Sequence, residues 1–174
     1  MTTLVVASPT VQRGPALLPI HRKAPALMIE SDPGAPTAYT PRTGGSVRVI
    51  ETADAPAHAG PVPQAVESDG WIFVSALFGT HPQTGHLAED ASEEADQLFD
   101  NLKAILAAAG SDLTDVVRVG ISMKHLQRDR PVLNEAWVRH FGGHRPARSA
   151  VEVGDFGRPG EDTRYMIEVV ARTP

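Results

Sequence analysis

The stretch from Asp90 to Gly110 limits what this chain can fold into more than any other. Its apolar residues Ala95, Leu98, Phe99, Leu102, Ile105, Leu106 and Ala109 recur at i, i+3, i+4 and i+7, so a helix here is apolar along one stripe and polar opposite. Asp90 and Glu93 stand in the relation of a capping-box variant, and Gly110 offers a C-terminal stop. A helix of this kind has to lie on an apolar surface.

Strand patterns supply that surface. Ser46–Glu51 alternates, and Val116–Met123 alternates with Val117, Val119, Ile121 and Met123 on one face. Gln64–Glu67 and Trp71–Ser75 flank Ser68-Asp69-Gly70, where Asp-Gly supplies the positive φ of a tight hairpin. His81–Gly85 marks a loop. A second helix is predicted from near Asp129, with Pro131 in its first turn and Leu133, Ala136, Trp137 and Phe141 inward, ending at Gly142-Gly143. Arg148–Val153 and Tyr165–Ala171 read as strands. The order predicts an α+β fold, with helices on one face of a mixed sheet.

Residues 1–45 differ in texture. They hold seven of the fifteen prolines, spaced so that neither a helix nor a central strand runs far. The expected organisation is a Pro-rich N-terminal arm over 1–45 and a folded domain over 46–174. Arg13, Arg22, Lys23 and Arg42 against Glu30 and Asp32 give the arm +2, leaving −7 on the remainder of a chain whose net charge is −5. That balance provides no electrostatic footprint for nucleic acid or an acidic membrane. The chain has no cysteine, which excludes disulfides and thiolate chemistry and fits a reducing compartment. The early apolar run Leu4–Ala7 is too short for a secretory or membrane segment. A cytoplasmic protein is expected.

Four blocks of the body then carry a resemblance. Gly60–Val66 (GPVPQAV) resembles a GPYxQAV motif, and Trp71–Ser75 (WIFVS) an FVSGQ strand. Asn101–Gly110 (NLKAILAAAG) is similar to an NLKAILEAAG helix end, and Pro146–Val153 (PARSAVEV) to a PARSxVEV signature. In this order and spacing the blocks resemble the RidA/YjgF family over about Ala55–Ala171. The resemblance implies a chorismate-mutase-like, YjgF-type fold, and a homotrimer with a central β-barrel and sites in the clefts between subunits. It also implies cofactor-independent hydrolysis of 2-imino or enamine acids to 2-oxo acids and ammonia. The expected partners are therefore a small carboxylate substrate and copies of the chain itself.

Arg148 is the first candidate site residue, because a planar guanidinium grips a carboxylate bidentately and stays charged at any working pH. By strand parity it shares a face with Ala150 and Glu152. The more apolar Ser149, Val151 and Val153 are expected toward the helices, which directs Arg148 to the barrel side. The backbone N–H of Ala150 offers a second donor; that position is cysteine in many relatives. Ser75 matches a family serine that could orient substrate or water, and Asn134 matches the asparagine of a VNxxY helix segment.

Two departures bear on the reaction. Val62 stands at the usual tyrosine after Gly-Pro, removing a phenolic donor. Met166 aligns with the glutamate that the family is thought to use on the hydrolytic water, and a methionine cannot accept that proton. A two-residue slip would preserve the strand face and bring Glu168 to the place, so both alignments stay open. Leu77 and Phe78 replace a small-polar pair, which predicts a more apolar cleft suited to a larger or aromatic acid. Glu152 is a further carboxylate on the Arg148 face, expected in an ion pair or lining the barrel. His81 could line the cleft mouth. His140 and His144 are four apart but separated by Gly142-Gly143, and no metal site is expected.

Three readings follow from this pattern: a divergent imine or enamine deaminase, an enzyme retaining the Arg148 anchor for a related reaction such as deamination of an aminomuconate-like compound, and a noncatalytic ligand-binding or regulatory trimer. A ribonuclease activity finds no basic stripe or stacking aromatics to support it.

Overall fold

A computed structural model describes residues 47–58, 60–157 and 162–174; the expected arm, residues 1–45, lies outside them. The elements run β1 (Val47–Ile50), β2 (Ala65–Ser68), β3 (Trp71–Phe78), α1 (Ala91–Ala108), a short 3₁₀ turn (Leu113–Asp115), β4 (Val116–Met123), α2 (Leu126–Phe141), β5 (Ala147–Glu152) and β6 (Tyr165–Arg172). They form one mixed sheet in the order β1-β2-β3-β6-β4-β5, with β4 and β5 the parallel pair joined through α2. The α+β expectation holds, and most elements begin and end within one or two residues of their expected bounds.

Local chemistry explains the elements. Asp69 and Gly70 both take positive φ, 52° and 80°, the combination that matches a two-residue turn to the twist of β2 and β3. The Asp90 side chain accepts from the N–H groups of Ser92 and Glu93 at the start of α1, and Gly110 at φ 79° turns the chain away at its end. The α1 stripe Leu98, Phe99, Leu102, Ile105 and Leu106 is fully buried against Ile72 and Val74 of β3 and Ile167 and Val169 of β6.

Two buried polar groups tie loops to this core. Gln64 accepts from the Thr52 N–H at 2.7 Å and donates to the carbonyls of Thr52, Ala55 and Pro56, so it holds the approach to β2. Asn101 donates to the carbonyls of Phe78 and Thr80, both at 2.9 Å, and fixes the end of β3 against α1. The amides of two motif blocks thus serve the scaffold.

Three local expectations fail. The helix α2 starts at Leu126, so Pro131 is its sixth residue and not in the first turn. The missing sequence signal is a remote cap, because Glu152 at the end of β5 accepts the Leu126 N–H at 2.7 Å. Val117 is exposed and Val116 buried, since the β4–β6 register shifts between Val116 and Arg118 and reverses parity there. On β3, Val74 pairs with Val169 and Leu77 with Ile167, so Ser75 and Ala76 together oppose Glu168. That bulge turns Leu77 into the core.

Candidate functional site

Arg148 sits on the edge strand β5, opposite Val119 of β4. Its Nη2 donates to Asn134 Oδ1 at 2.7 Å, and its guanidinium carbon lies 4.8 Å from the centroid of Trp137, within cation–π range. Trp137 is itself braced, stacked on Phe141 at 4.2 Å and edge-on to Phe99 at 5.9 Å. Two rigid groups from α2 therefore orient a guanidinium that has no carboxylate partner among the described residues. It lines an open cleft of about 270 Å³ with Ile121, Met123, Arg130, Leu133, Asn134 and Ala150.

The face expected for Arg148 is reversed. Arg148, Ala150 and Glu152 lie on the helix side, as their contacts with Asn134, Trp137 and the Leu126 N–H show, while Val151 is 53% exposed on the open side. Polarity misled because β5 borders the sheet. Its helix-side positions meet the margin of the core at Ala150 and the flank and N-terminus of α2 at Arg148 and Glu152. Glu152 is a helix cap, not an ion pair or a barrel-lining group.

The other candidates gather elsewhere. The Ser75 hydroxyl, in the β3 bulge, donates to the Pro63 carbonyl at 2.7 Å, which leaves its lone pairs free. Val62 is half exposed in the preceding loop. Met166 pairs with Phe78 on one side and Ser122 on the other. Glu168, across from Ser75-Ala76, is exposed, makes no hydrogen bond among the described residues and lies over Gly120, where a Cβ would stand 3.8 Å from Oε2. Phe78 packs edge-on to Phe156 at 5.9 Å. Leu77 belongs to the core at 3% exposure, and it still lines, with Phe78, Ala76, Pro56 and Thr80, a small cavity of about 80 Å³.

Within one chain these two groups do not meet. The order β3-β6-β4-β5 separates Ser75 from Arg148 by three strand spacings, about 14 Å. Glu168 and Met166 also alternate with the buried Tyr165, Ile167 and Val169, and so point to the face opposite Arg148. The candidate residues thus form two separate groups in the chain, an Arg148 cleft at one edge and a Ser75–Glu168 patch on the open face.

The histidines have separate duties. His140 Nε2 meets Asp96 at 2.9 Å, His144 Nε2 meets the Val116 carbonyl at 2.7 Å, and His81 Nδ1 accepts from the Gln83 N–H within its own turn. No group of three or more metal-ligating side chains occurs among the described residues. Sequence reasoning missed Trp137 as a platform and Arg130 as a cleft residue. The available signal was helical spacing, since Arg130 and Trp137 stand at i−4 and i+3 from Asn134 on one face of α2.

A mixed sheet with two helices on one face and an edge-strand arginine braced from the second helix defines the class, the YjgF-type α+β proteins. The chain belongs to the RidA/YjgF family, whose sequence model, described as Endoribonuclease L-PSP, matches residues 52–172. It is 36% identical over 127 residues to a 2-iminobutanoate/2-iminopropanoate deaminase of Salmonella typhimurium, covering 71% of this chain and 96% of that protein. It is 38% identical to the human protein of the same name over 125 residues, covering 71% and 88% respectively. The crystal structure of RidA from an Antarctic Psychrobacter species superposes with a TM-score of 0.67 at 37% identity, covering 72% of this chain and 98% of that one.

Proposed function

We propose that the chain is a hydrolytic deaminase of 2-imino or enamine acids, holding the substrate carboxylate on Arg148 in a cleft completed by a second copy of the chain. The observation that carries this reading is the Arg148 guanidinium, free of any carboxylate among the described residues yet aligned by Asn134 and Trp137. An arginine fixed in this way loses little entropy on binding and can offer two parallel N–H donors. The Ala150 N–H would add a third.

The separation of the two groups supports the intermolecular part. So does the open sheet face, where Val49, Trp71, Phe73 and Val151 are 39–60% exposed and would find apolar cover in a trimer with a central barrel. In that assembly the arm over 1–45 would accompany a RidA-like domain over 46–174. Substrate gripped by Arg148 of one copy then meets Ser75, Val62, Phe78, Met166 and Glu168 of the next.

The chemistry needs water and a proton carrier, and no cofactor. Water oxygen adds to the carbon of the imine while Glu168 takes one water proton and passes it to nitrogen, giving the carbinolamine. The carboxylate then takes the hydroxyl proton and delivers it to the amino nitrogen as the C–N bond breaks, so that the carbonyl forms and ammonia leaves. Ser75, with free lone pairs, orients the water. Such a protein would work in the cytoplasm, where amino-acid metabolism generates imines.

The test is conversion of 2-iminobutanoate, generated in situ by an amino-acid oxidase, to 2-oxobutanoate. The wild type should accelerate it and Arg148→Ala should not. Met166, at the position aligned with the family's water-handling glutamate, favours a second reading in which the trimer binds the acid without turning it over. Binding of 2-oxobutanoate that needs Arg148, with no acceleration of hydrolysis, would establish that alternative and refute the deaminase.

A further inference from the structure

We propose that the Arg148 cleft is specific for a dicarboxylic 2-imino acid, with the second carboxylate held by Arg130. This rests on the reading that Arg148 anchors the first. Arg130 lines the same cleft and makes no hydrogen bond or ion pair among the described residues. Its neighbours on α2 are occupied: Arg128 pairs with Asp129 at 2.7 Å and Arg139 with Asp96 at 2.8 Å. The carboxylate nearest in sequence, Asp129, is buried and already held by both Arg128 nitrogens, so it does not neutralise Arg130.

Helical geometry sets the reach. Arg130 and Asn134 are one turn apart on a shared face, with Cβ atoms about 5–6 Å from each other. Asn134 in turn touches Arg148 at 2.7 Å. Both arginines line the cleft with Ile121, Met123 and Leu133, whose apolar side chains suit the methylenes of a chain. An acid of roughly four or five carbons carries its two carboxylates about one helical turn apart, the separation of Arg130 from Asn134. A monocarboxylate would leave one cation of the pair uncompensated, whereas a dicarboxylate neutralises both. In a body with a net negative charge, two adjacent unpaired arginines in one cleft are a local reversal of sign.

Calorimetry at low salt with two product-like acids of equal carbon number, 2-oxoglutarate and 2-oxopentanoate, isolates the terminal carboxylate. The wild-type protein should bind 2-oxoglutarate at least about tenfold more tightly, the effect of one charge-assisted contact. Arg130→Gln should abolish that preference and leave 2-oxopentanoate unchanged. Arg145→Gln, which removes an exposed charge outside the cleft, should change neither. Equal wild-type affinities would overturn the proposal. So would an Arg130→Gln variant that weakens both acids alike, or an Arg145→Gln variant that reproduces its effect. Arg148→Gln separates this inference from the one beneath it: 2-oxopentanoate should no longer bind, and undiminished binding would refute the anchor itself.

Discussion

Replacing Arg148 by lysine retains the charge and removes the geometry, so it measures how much of the proposed carboxylate anchoring is orientation. The guanidinium makes one bond to Asn134, lies 4.8 Å from the Trp137 ring centroid and lines the cleft with its other N–H groups unpaired among the described residues. A lysine ammonium can make one charged contact to a carboxylate but not a parallel pair, and it lacks the planar fork that Asn134 and Trp137 hold. The loss of one charge-assisted hydrogen bond is worth about 1.5–3 kcal/mol, or about a 10- to 150-fold rise in Kd. Folding should change little, because Arg148 is exposed and the lysine stem retains part of its packing beside Trp137. Titration of 2-oxobutanoate into both proteins, with thermal melts run beside it, reads the two effects separately. An Arg148→Lys variant that binds within about threefold of wild type, well short of one lost charge-assisted bond, would show that charge alone suffices and that the bracing by Asn134 and Trp137 is incidental.

Other perturbations address the scaffold and its charges. Glu94 is fully buried; it receives the N–H groups of Arg164 and Tyr165 and an ion pair from Arg164 at 2.7 Å, and burial raises its pKa despite those partners. Glu94→Ala strands Arg164, and should cost about 3–5 kcal/mol in chemical denaturation. Gly79→Ala would place a Cβ 2.2 Å from the Glu94 carbonyl oxygen and 2.8 Å from its Cγ, so backbone must move and the melt should drop by an amount corresponding to about 1–3 kcal/mol. Asp96 is pushed up by partial burial but pulled further down by Arg139 and His140, below the ordinary 3.8. A depressed carboxylate stabilises the fold above its unfolded pKa and loses that contribution as pH falls through the folded one. The stability gap between wild type and Asp96→Asn should therefore be present at neutral pH and close in acid titrations below about pH 3.8.

Much of the fold was legible because periodicity is a local property. The α1 stripe, the Asp-Gly hairpin and the strands β4 and β6 were all set by residues within a few positions of one another. What was not legible depended on distant partners or on single-residue irregularities. The start of α2 needs Glu152, 26 residues away, as its cap. The bulge at Ser75-Ala76 reverses the parity of Leu77, and no letter in WIFVSALF announces it. The side taken by Arg148 followed from where α2 lies relative to an edge strand, a tertiary fact that polarity along β5 cannot encode. The sequence could name candidate residues but not the arrangement in which the fold places them.

That arrangement sharpens the question of which group handles the water. Met166 and Glu168 share the open face of β6, and the register places Glu168 opposite the bulged Ser75-Ala76 while Met166 sits against Phe78. A bulge crowds two residues against one, and here the one is an exposed carboxylate, without a hydrogen bond among the described residues, beside a serine hydroxyl. If Glu168 is the proton carrier, Glu168→Gln preserves its shape and hydrogen-bonding reach but cannot take a proton. Turnover of 2-iminobutanoate should then fall by about 10²–10⁴-fold with binding of 2-oxobutanoate unchanged. Met166→Leu, which alters the apolar neighbour without touching the carboxylate, should leave turnover within a few fold. Unimpaired hydrolysis by Glu168→Gln would remove Glu168 from the reaction, and because Met166 cannot replace it, the proton carrier would have to be another group.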